Sequence, residues 1–324
     1  MDTNIKTETV FFPATDGTTQ VRGVIWWPNN TREQRGVVQL VHGMAEHIMR
    51  YADFARFLAD KGFVVCGHDH VGHGESVKSP ELLGCLPLKG GRDVLVGDVG
   101  LMRKLIRERV NATLPHFLFG HSMGSFVVRA YIAESGQGLA GAIICGTGHV
   151  PPALSASGNL LAQAISRIRD ERYVSKLLGD LSIGAYSKAI ENARTPLDWL
   201  SYSKENVDAY IADKKCGFAF SAGANAALMA LTREVCTPKC CARVPHKLPL
   251  FYISGDGDPV GNMGEGVRTA ATMAKEAGST DVTCTIFEHM RHEILNEVDH
   301  QRVYDAVLQW LESHLSRPTT TQAQ

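Results

Sequence analysis

A serine between two glycines is the pattern with the clearest chemistry in this chain. Residues 120–124 read Gly-His-Ser-Met-Gly and lie between a short apolar run and a helical pattern. A sharp turn from strand to helix holds a serine hydroxyl clear of the sheet, and Gly120 and Gly124 leave room where the backbone is crowded. We interpret Ser122 as a nucleophile; the alternative is an ordinary glycine-rich turn between a strand and a helix.

A serine hydroxyl becomes a good nucleophile only when a base removes its proton, and that base needs an acidic partner. In folds with this turn, the acid and then the base follow the serine along the chain. We favour Asp258 over Asp256 as the acid, because Asp258 lies deeper in its turn and precedes a proline. We favour His292 over His289 as the base, because His292 lies farther into its loop, just before the last helix. Asp256 is then a turn former and His289 a solvated loop residue.

Two backbone amides are the expected oxyanion hole. Acyl transfer builds negative charge on the carbonyl oxygen of the substrate, so the site must supply preorganised N–H donors. The amide after the nucleophile, that of Met123, is one expected donor. The other is expected in the loop after the third predicted strand, where Gly43 lets the backbone turn and Met44 offers its amide. We interpret the nearby side chains of Glu46 and His47 as braces of this loop rather than as reacting groups.

Two groups of residues have side chains that commonly bind metals, but we interpret neither group as a metal site. Residues 68–73 read His-Asp-His-Val-Gly-His, which approaches the metal-binding pattern of the metallo-β-lactamase fold but has Gly72 where an aspartate is required. We interpret this stretch as a glycine-closed turn whose histidines bond to their neighbours. The group Cys236, Cys240 and Cys241 lacks a second ligand pair at short spacing. The chemistry of the predicted triad requires neither a metal nor an organic cofactor.

The elements that must position these residues alternate along the chain. Short apolar runs that end at a glycine or a polar turn are typical of strands in a buried parallel sheet, and helical patterns lie between them. The predicted strands are 36–41, 63–66, 117–119, 142–145, 250–253 and 282–287, and the predicted helices are 49–61, 91–109, 122–134, 264–277 and 300–315. An Asp-Gly turn within residues 1–30 predicts a β-hairpin. The predicted class is α/β, a mostly parallel central sheet with helices on both faces.

The alternation of strands and helices breaks between residues 147 and 246. Helical patterns without clear strands predict a helical insertion there, over the C-terminal edge of the sheet. Residues 1–146 and 247–316 would form the core, and residues 317–324 a flexible tail. One predicted helix of the insertion carries an apolar stripe, formed by Leu160, Leu161, Ala164, Ile165 and Ile168. This stripe either packs onto the core, which we favour, or contacts a membrane or micelle.

Composition limits the partners and the location of the protein. The chain of 324 residues has 33 Lys and Arg against 34 Asp and Glu, so a net charge of -1 argues against nucleic acid as the main partner. No stretch approaches the roughly 18 consecutive apolar residues of a membrane span, and the N-terminus lacks the pattern of a signal peptide. Eight cysteines are too few for a disulfide scaffold. We expect a cytoplasmic location, with peripheral membrane contact through the insertion as the open alternative.

Together these stretches resemble the monoacylglycerol lipase and lysophospholipase group of α/β-hydrolases, which is also grouped with serine aminopeptidase-like hydrolases. The resemblance runs from about residue 8 to 315 and is carried by residues 41–47, 50–51, 68–76, 120–124, 255, 258 and 291–293. It implies an α/β-hydrolase fold in which residues 147–246 form a cap. It also implies the triad and the two amides named above. The chain departs from mammalian members in its cap, at Met44-Ala45 and at Ser125.

The resemblance implies a serine esterase that cleaves a carboxylic ester of a single-chain lipid through an acyl-enzyme. A monoacylglycerol or a lysophospholipid is then the expected substrate. The alternative is a short-chain carboxylesterase or an aminopeptidase on the same scaffold. An aminopeptidase needs a buried acid for the substrate ammonium, and we interpret Asp170 and Glu171 as a solvated face instead. A non-catalytic binding protein is least favoured, because all three triad members are present in order.

Overall fold

The computed structural model describes residues 5–29, 33–181 and 183–315. Within them, the strands are β1 (Lys6–Pro13), β2 (Gln20–Trp27), β3 (Gly36–Val41), β4 (Phe63–His68), β5 (His116–His121), β6 (Gly141–Cys145), β7 (Leu250–Gly255) and β8 (Val282–Phe287). They form one sheet in the order β1-β2-β4-β3-β5-β6-β7-β8. β2 pairs antiparallel with β1 and β4, and all other neighbours are parallel. The predicted class, α/β with a mostly parallel sheet, is confirmed.

The helices of the core connect successive strands, except the last, which follows β8. In the described chain they are α1 (Ala52–Asp60), α2 (Gly91–Arg107), α3 (Met123–Ser135), α10 (Glu265–Glu276) and α11 (His300–Ser313). Each overlaps a predicted helix and differs from it by at most three residues at either end. The helix predicted at 49–61 begins with a separate 3₁₀ turn, Ile48–Tyr51.

Two hydrophobic layers cover the two faces of the sheet. The first contains apolar residues of α2, α3 and α10, and the second contains those of α1 and α11. All side chains of β3, β4, β5, β6 and β7 are buried. This burial explains why these strands appear as continuous apolar runs rather than as alternating patterns. The ends of these strands therefore stay fixed, and the loops that follow them can hold reactive groups in place.

The residues between β6 and β7, here called the insertion, contain helices and connecting loops, and the domain boundaries at 147 and 246 stay a prediction. Its helices are α4 (Pro152–Ile168), α5 (Lys176–Leu181), α6 (Ile183–Lys188), α7 (Lys204–Ala212), α8 (Ala222–Val235) and α9 (Pro238–Cys241). Apart from an isolated bridge between Val174 and Ser221, the described part of the insertion contains no strand. None of the helices in the described chain is long and apolar enough to span a bilayer.

The apolar stripe predicted on α4 does not form one buried face. Leu161 and Ile165 pack against buried residues, whereas Leu160 is 67% exposed and Ile168 is 81% exposed. Ala164 is also exposed. The buried face consists of small side chains, Ser155, Ala162 and Ser166, because α4 packs closely against α8. The favoured interpretation of the stripe was therefore wrong for three of its five residues. The predicted tail, 317–324, lies outside the described residues.

Candidate active site

Ser122 lies in a strained turn between β5 and α3. Its backbone has φ 54° and ψ -122°, a conformation that residues with a side chain rarely adopt. The Ser122 N–H donates to the carbonyl of Cys145 at the end of β6, 3.0 Å away. A Cβ atom at Gly124 would lie 2.1 Å from the carbonyl oxygen of Val41, and one at Gly120 would lie 2.4 Å from that of Gly124. The two glycines therefore permit the close contact between α3 and the sheet that this turn requires.

Asp258 and His292 are brought together after β7 and β8. Both are buried, and Nδ1 of His292 lies 3.0 Å from each carboxylate oxygen of Asp258. The Ser254 hydroxyl and the Val260 N–H also donate to that carboxylate, at 2.8 and 2.9 Å. Burial would raise the pKa of the Asp258 carboxyl, but the charge of His292 and these hydrogen bonds hold it below its ordinary value. The carboxylate can therefore fix the tautomer that leaves Nε2 of His292 free.

Asp256 and His289, the alternative candidates for the acid and the base, have different surroundings. Asp256 is half-buried, and its carboxylate accepts a long hydrogen bond, 3.4 Å, from the Met290 N–H. His289 is exposed, with a left-handed backbone at φ 58°. In the described chain, neither side chain bonds to the pair of Asp258 and His292, and the preference for that pair stays a prediction.

Ser122 and His292 both lie beside the end of β6. A Cβ atom at Gly146 would lie 3.1 Å from Cε1 of His292, and Gly146 directly follows the carbonyl that accepts the Ser122 N–H. Among the described residues, no hydrogen bond joins Oγ of Ser122 to Nε2 of His292. Hydrogen bonds of this kind are often long in the absence of substrate and tighten in the complex.

The two amides expected in the oxyanion hole are available as donors. Neither the Met44 nor the Met123 N–H donates a hydrogen bond to another described residue. Gly43 packs against the elbow, since a Cβ atom there would lie 2.9 Å from Cβ of Ser122. Its own N–H donates to the Glu46 carboxylate at 2.5 Å, which turns the loop. The next residue, Ala45, has a left-handed backbone at φ 54°.

Glu46 connects the oxyanion loop to the elbow. Its carboxylate accepts from the hydroxyl of Tyr51 at 2.7 Å and lies 3.4 Å from Nδ1 of His121. Nε2–H of His121 in turn donates to the carbonyl of His292 at 3.1 Å. Burial opposes ionisation of both partners, yet their mutual attraction lowers the pKa of Glu46 and raises that of His121. This arrangement agrees with the interpretation of Glu46 as a brace.

His47 braces the loop through the insertion. Its Nε2 lies 2.8 Å from the Asp213 carboxylate, and the thiol of Cys216 completes a group whose ligand atoms all lie within 4.8 Å. The hydrogen bond to Asp213 accounts for this arrangement without an ion. Ala45 is held from the same side, because its carbonyl accepts from the Tyr210 hydroxyl at 2.7 Å and the Gly217 N–H at 2.9 Å.

The histidines of residues 68–73 form a buried cluster with His42. His70 bonds to His42, and His73 bonds to the carbonyl of Val71, as expected for a turn. His68 differs from this expectation, because neither of its ring nitrogens has a partner in the described chain. Burial lowers the pKa values of His68 and His73 to about 4. These imidazoles are therefore neutral packing groups at neutral pH.

Sequence analysis missed the residues that bind the insertion to the loop of His292. Trp199 packs on the His292 ring, and Arg291, Glu293 and Glu297 bond to residues 198–203 of the insertion. Charged residues directly before and after the predicted base were a signal that could have been noticed. Their partners could not, because they lie about 90 positions away in a segment without a regular pattern.

Comparisons with known proteins identify the family of this chain. The family model described as serine aminopeptidase, S33, matches residues 32–299. The chain belongs to this family. A monoacylglycerol lipase of Mycolicibacterium smegmatis is 30% identical over 298 residues, which cover 90% of this chain and 92% of that protein. Human monoglyceride lipase is 26% identical over 299 residues, covering 88% of this chain and 84% of that protein.

Solved structures show the same fold. The crystal structure of a thermostable carboxyl esterase from Bacillus coagulans has a TM-score of 0.89 at 29% identity, and covers 95% of this chain and 99% of that chain. The resemblance stated from the sequence is confirmed, and the fold is that of the α/β-hydrolases. This member of the serine aminopeptidase S33 family is a carboxylic ester hydrolase.

Proposed function

We propose that the protein cleaves carboxylic esters of single-chain lipids, as a monoacylglycerol lipase or a lysophospholipase, with Ser122, His292 and Asp258 as its catalytic triad. The observation that carries this proposal is the buried hydrogen-bonded pair of Asp258 and His292 at the end of the sheet where Ser122 occupies its strained turn. The relatives in which monoacylglycerol or monoglyceride lipase is the stated activity support the lipid substrate.

The proposed reaction proceeds through an acyl-enzyme. Nε2 of His292 takes the proton of Ser122 as Oγ attacks the ester carbonyl, and Asp258 stabilises the imidazolium. The N–H groups of Met44 and Met123 hold the oxyanion, each such donor contributing about 3 kcal/mol. The imidazolium then gives its proton to the leaving alcohol. His292 next deprotonates a water molecule, which attacks the acyl carbon and releases the fatty acid and Ser122.

The insertion is proposed to be the cap that receives the acyl chain and contacts a lipid surface. Its outer helices present large exposed apolar side chains, which support peripheral contact with a membrane or micelle. They are Leu154, Leu160, Ile168, Leu177 and Leu181. A cytoplasmic location is part of the same proposal, and the eight free cysteines are consistent with a reducing compartment.

A short-chain carboxylesterase is the second candidate. It is favoured by one specific observation, the likeness in fold to a carboxyl esterase at a TM-score of 0.89. An aminopeptidase is less well supported, since both acids considered for its ammonium site are engaged by backbone. Glu171 accepts from the Leu88 N–H at 3.0 Å, and Asp170 accepts from the Arg172 N–H at 2.7 Å.

A substrate panel tests the proposal. Purified protein and the matched variant Ser122→Ala are assayed on monoacylglycerols, lysophospholipids, p-nitrophenyl esters of rising acyl length and amino-acid anilides. We expect the highest kcat/KM on a long-chain monoacylglycerol or lysophospholipid, and no hydrolysis by Ser122→Ala. A maximum at acyl chains of about two to four carbons would favour the short-chain esterase instead, and preferred cleavage of anilides would favour the aminopeptidase.

A further inference from the structure

A buried tryptophan of the insertion packs on the proposed catalytic base. Trp199 is 7% exposed, and its ring centroid lies 5.1 Å from that of His292, with the planes inclined by 44°. The ring of Tyr186 packs against Trp199 at 5.2 Å and keeps it enclosed. The insertion therefore places an aromatic ring in direct contact with the imidazole.

A buried carboxylate holds the segment that carries this tryptophan, residues 198–203. Glu297 is 2% exposed and accepts from the Ser201 hydroxyl at 2.8 Å and from the Tyr202 N–H at 3.0 Å. The same carboxylate accepts from the N–H of Arg291 at 2.8 Å. One side chain thus joins the Trp199 segment to the residue directly before His292.

Both sequence neighbours of His292 bond to the Trp199 segment as well. The guanidinium of Arg291 donates to the carbonyl of Asp198 at 2.6 Å and lies over the ring of Tyr202 at 4.0 Å. The N–H of Glu293 donates to the carbonyl of Leu200 at 2.7 Å. The loop is therefore bonded to the segment on both sides of His292.

The charge that develops on His292 during catalysis explains what the tryptophan can do. The face of an indole attracts a cation, and this attraction strengthens when water is excluded. The other groups that face His292 are the carboxylate of Asp258, which favours the imidazolium, and the ring of His121 at 4.7 Å, whose raised pKa opposes it. Glu46 pairs with His121, and Glu293 pairs with Arg50.

We propose that Trp199 is a positioning residue of this enzyme, which the Trp199 segment and Glu297 hold on the imidazole so that its face stabilises the imidazolium. The inference rests on the proposed role of His292. It assigns the Trp199 segment to the fixed machinery of the base and not to a moving part of the cap. Trp199 acts only through His292, so its removal lowers turnover without weakening the binding of substrate.

Two replacements of Trp199 separate the aromatic face from the bulk of the side chain. Trp199→Phe keeps an aromatic face and Trp199→Leu fills space without one. With the best p-nitrophenyl ester, we expect Trp199→Leu to lower kcat about tenfold while KM stays within about twofold, and Trp199→Phe to keep most of the activity. Equal loss in both variants, a rise in KM at unchanged kcat, or wild-type kinetics in Trp199→Leu would each overturn the proposal.

Replacement of Glu297 tests the same proposal at a residue that does not touch His292. Glu297→Gln should lower kcat several-fold at unchanged KM, whereas the control Glu288→Gln, in an exposed position of the same loop, should behave as wild type. Unchanged kcat in Glu297→Gln overturns the proposal even if Trp199→Leu does not fold. Ser122→Ala and His292→Ala, assayed in parallel, report on the proposed function itself. Activity retained in those two variants would reject the triad, independently of Trp199.

Discussion

At the scale of single residues, the conformation of Ser122 couples stability to activity. A residue with a side chain at φ 54° and ψ -122° is strained, and the Ser122→Ala variant keeps this strain because alanine also carries Cβ. Ser122→Gly should relieve it and stabilise the fold by about 1 kcal/mol relative to Ser122→Ala. Thermal unfolding of the two inactive variants checks this. Equal or lower stability of Ser122→Gly would show that the turn is not strained.

Asp258 and Asp256 lie in the same loop but differ in burial and in the groups they contact. An asparagine at 258 would present its amide N–H₂ to Nδ1 of His292 and favour the tautomer whose Nε2 carries the proton and cannot accept another. We expect Asp258→Asn to lower kcat by about 10,000-fold at little cost in folding. Asp256→Asn is the matched control and should remain within a few-fold of wild type. Steady-state kinetics on one ester substrate measure both, and similar kinetics of the two variants would remove Asp258 from the triad.

At the scale of elements, the position of Ser122 depends on how closely α3 approaches the end of β3. A Cβ atom at Gly124 would lie 2.1 Å from the backbone oxygen of Val41 and 2.5 Å from that of His42, so either the helix or the strand must shift. We expect Gly124→Ala to lose activity and unfold at a lower temperature. Gly179→Ala, in α5, is the matched control and should match wild type, because no described atom of another segment lies within 4 Å of the added Cβ. Activity assays and thermal unfolding decide the comparison.

The strands and the loops that follow them could be predicted from sequence because local patterns determine them. A strand buried on both faces gives a continuous apolar run, and the residues at its end occupy the loop edge by necessity. Asp258 and His292 are predicted in this way, and they lie three and five residues after β7 and β8 end. The predicted ends are short by two residues where a strand finishes in polar or glycine residues, as at His68 and Gly255.

The insertion could not be predicted to the same depth, because packing between distant segments decides its structure. On α4, close contact with α8 favours small buried residues, and the larger Leu160 and Ile168 point outward. Hydrophobicity alone suggested the opposite arrangement. Trp199 lies in a short 3₁₀ turn without periodicity, and its contact with His292 joins residues 93 positions apart. No local signal in the sequence reports such a contact.

At the scale of the whole molecule, the buried histidines make the fold sensitive to acid. Burial lowers the pKa of His68 and His73 to about 4 and that of His116 to about 3, against about 6.5 in an unfolded chain. The unfolded state therefore binds more protons below about pH 6.5, and the free energy of unfolding falls as the pH drops from about 6.5 towards 4. Each such group adds about 1.4 kcal/mol per pH unit to this slope.

Two other groups, Asp98 and His121, also affect how the free energy of unfolding depends on pH. Burial raises the pKa of Asp98 to about 6, so this carboxyl stabilises the fold as the pH falls. It offsets the destabilising contribution of about one histidine. Glu46 raises the pKa of His121 against the effect of burial. This pair stabilises the fold below about pH 6.5, where its contribution to the free energy of unfolding does not change with pH.

Urea unfolding at about pH 7.5 and about pH 5 measures the acid sensitivity. We expect His68→Leu to lose less stability between these two pH values than wild type, by the contribution of about one histidine. Neither ring nitrogen of His68 has a hydrogen-bond partner in the described chain. Wild-type protein unfolded at the same two pH values is the reference. The same slope in His68→Leu and wild type would show that this histidine is not neutral in the fold.

Covalent labelling with a fluorophosphonate tests most directly whether Ser122, activated by His292, is the nucleophile. Mass spectrometry of the native protein should find one phosphonyl adduct, on the peptide that contains Ser122. Ser122→Ala should remain unlabelled, and His292→Ala should label more slowly by orders of magnitude while still folded. An adduct on another residue, or labelling of Ser122→Ala at the rate of the native protein, would contradict the account.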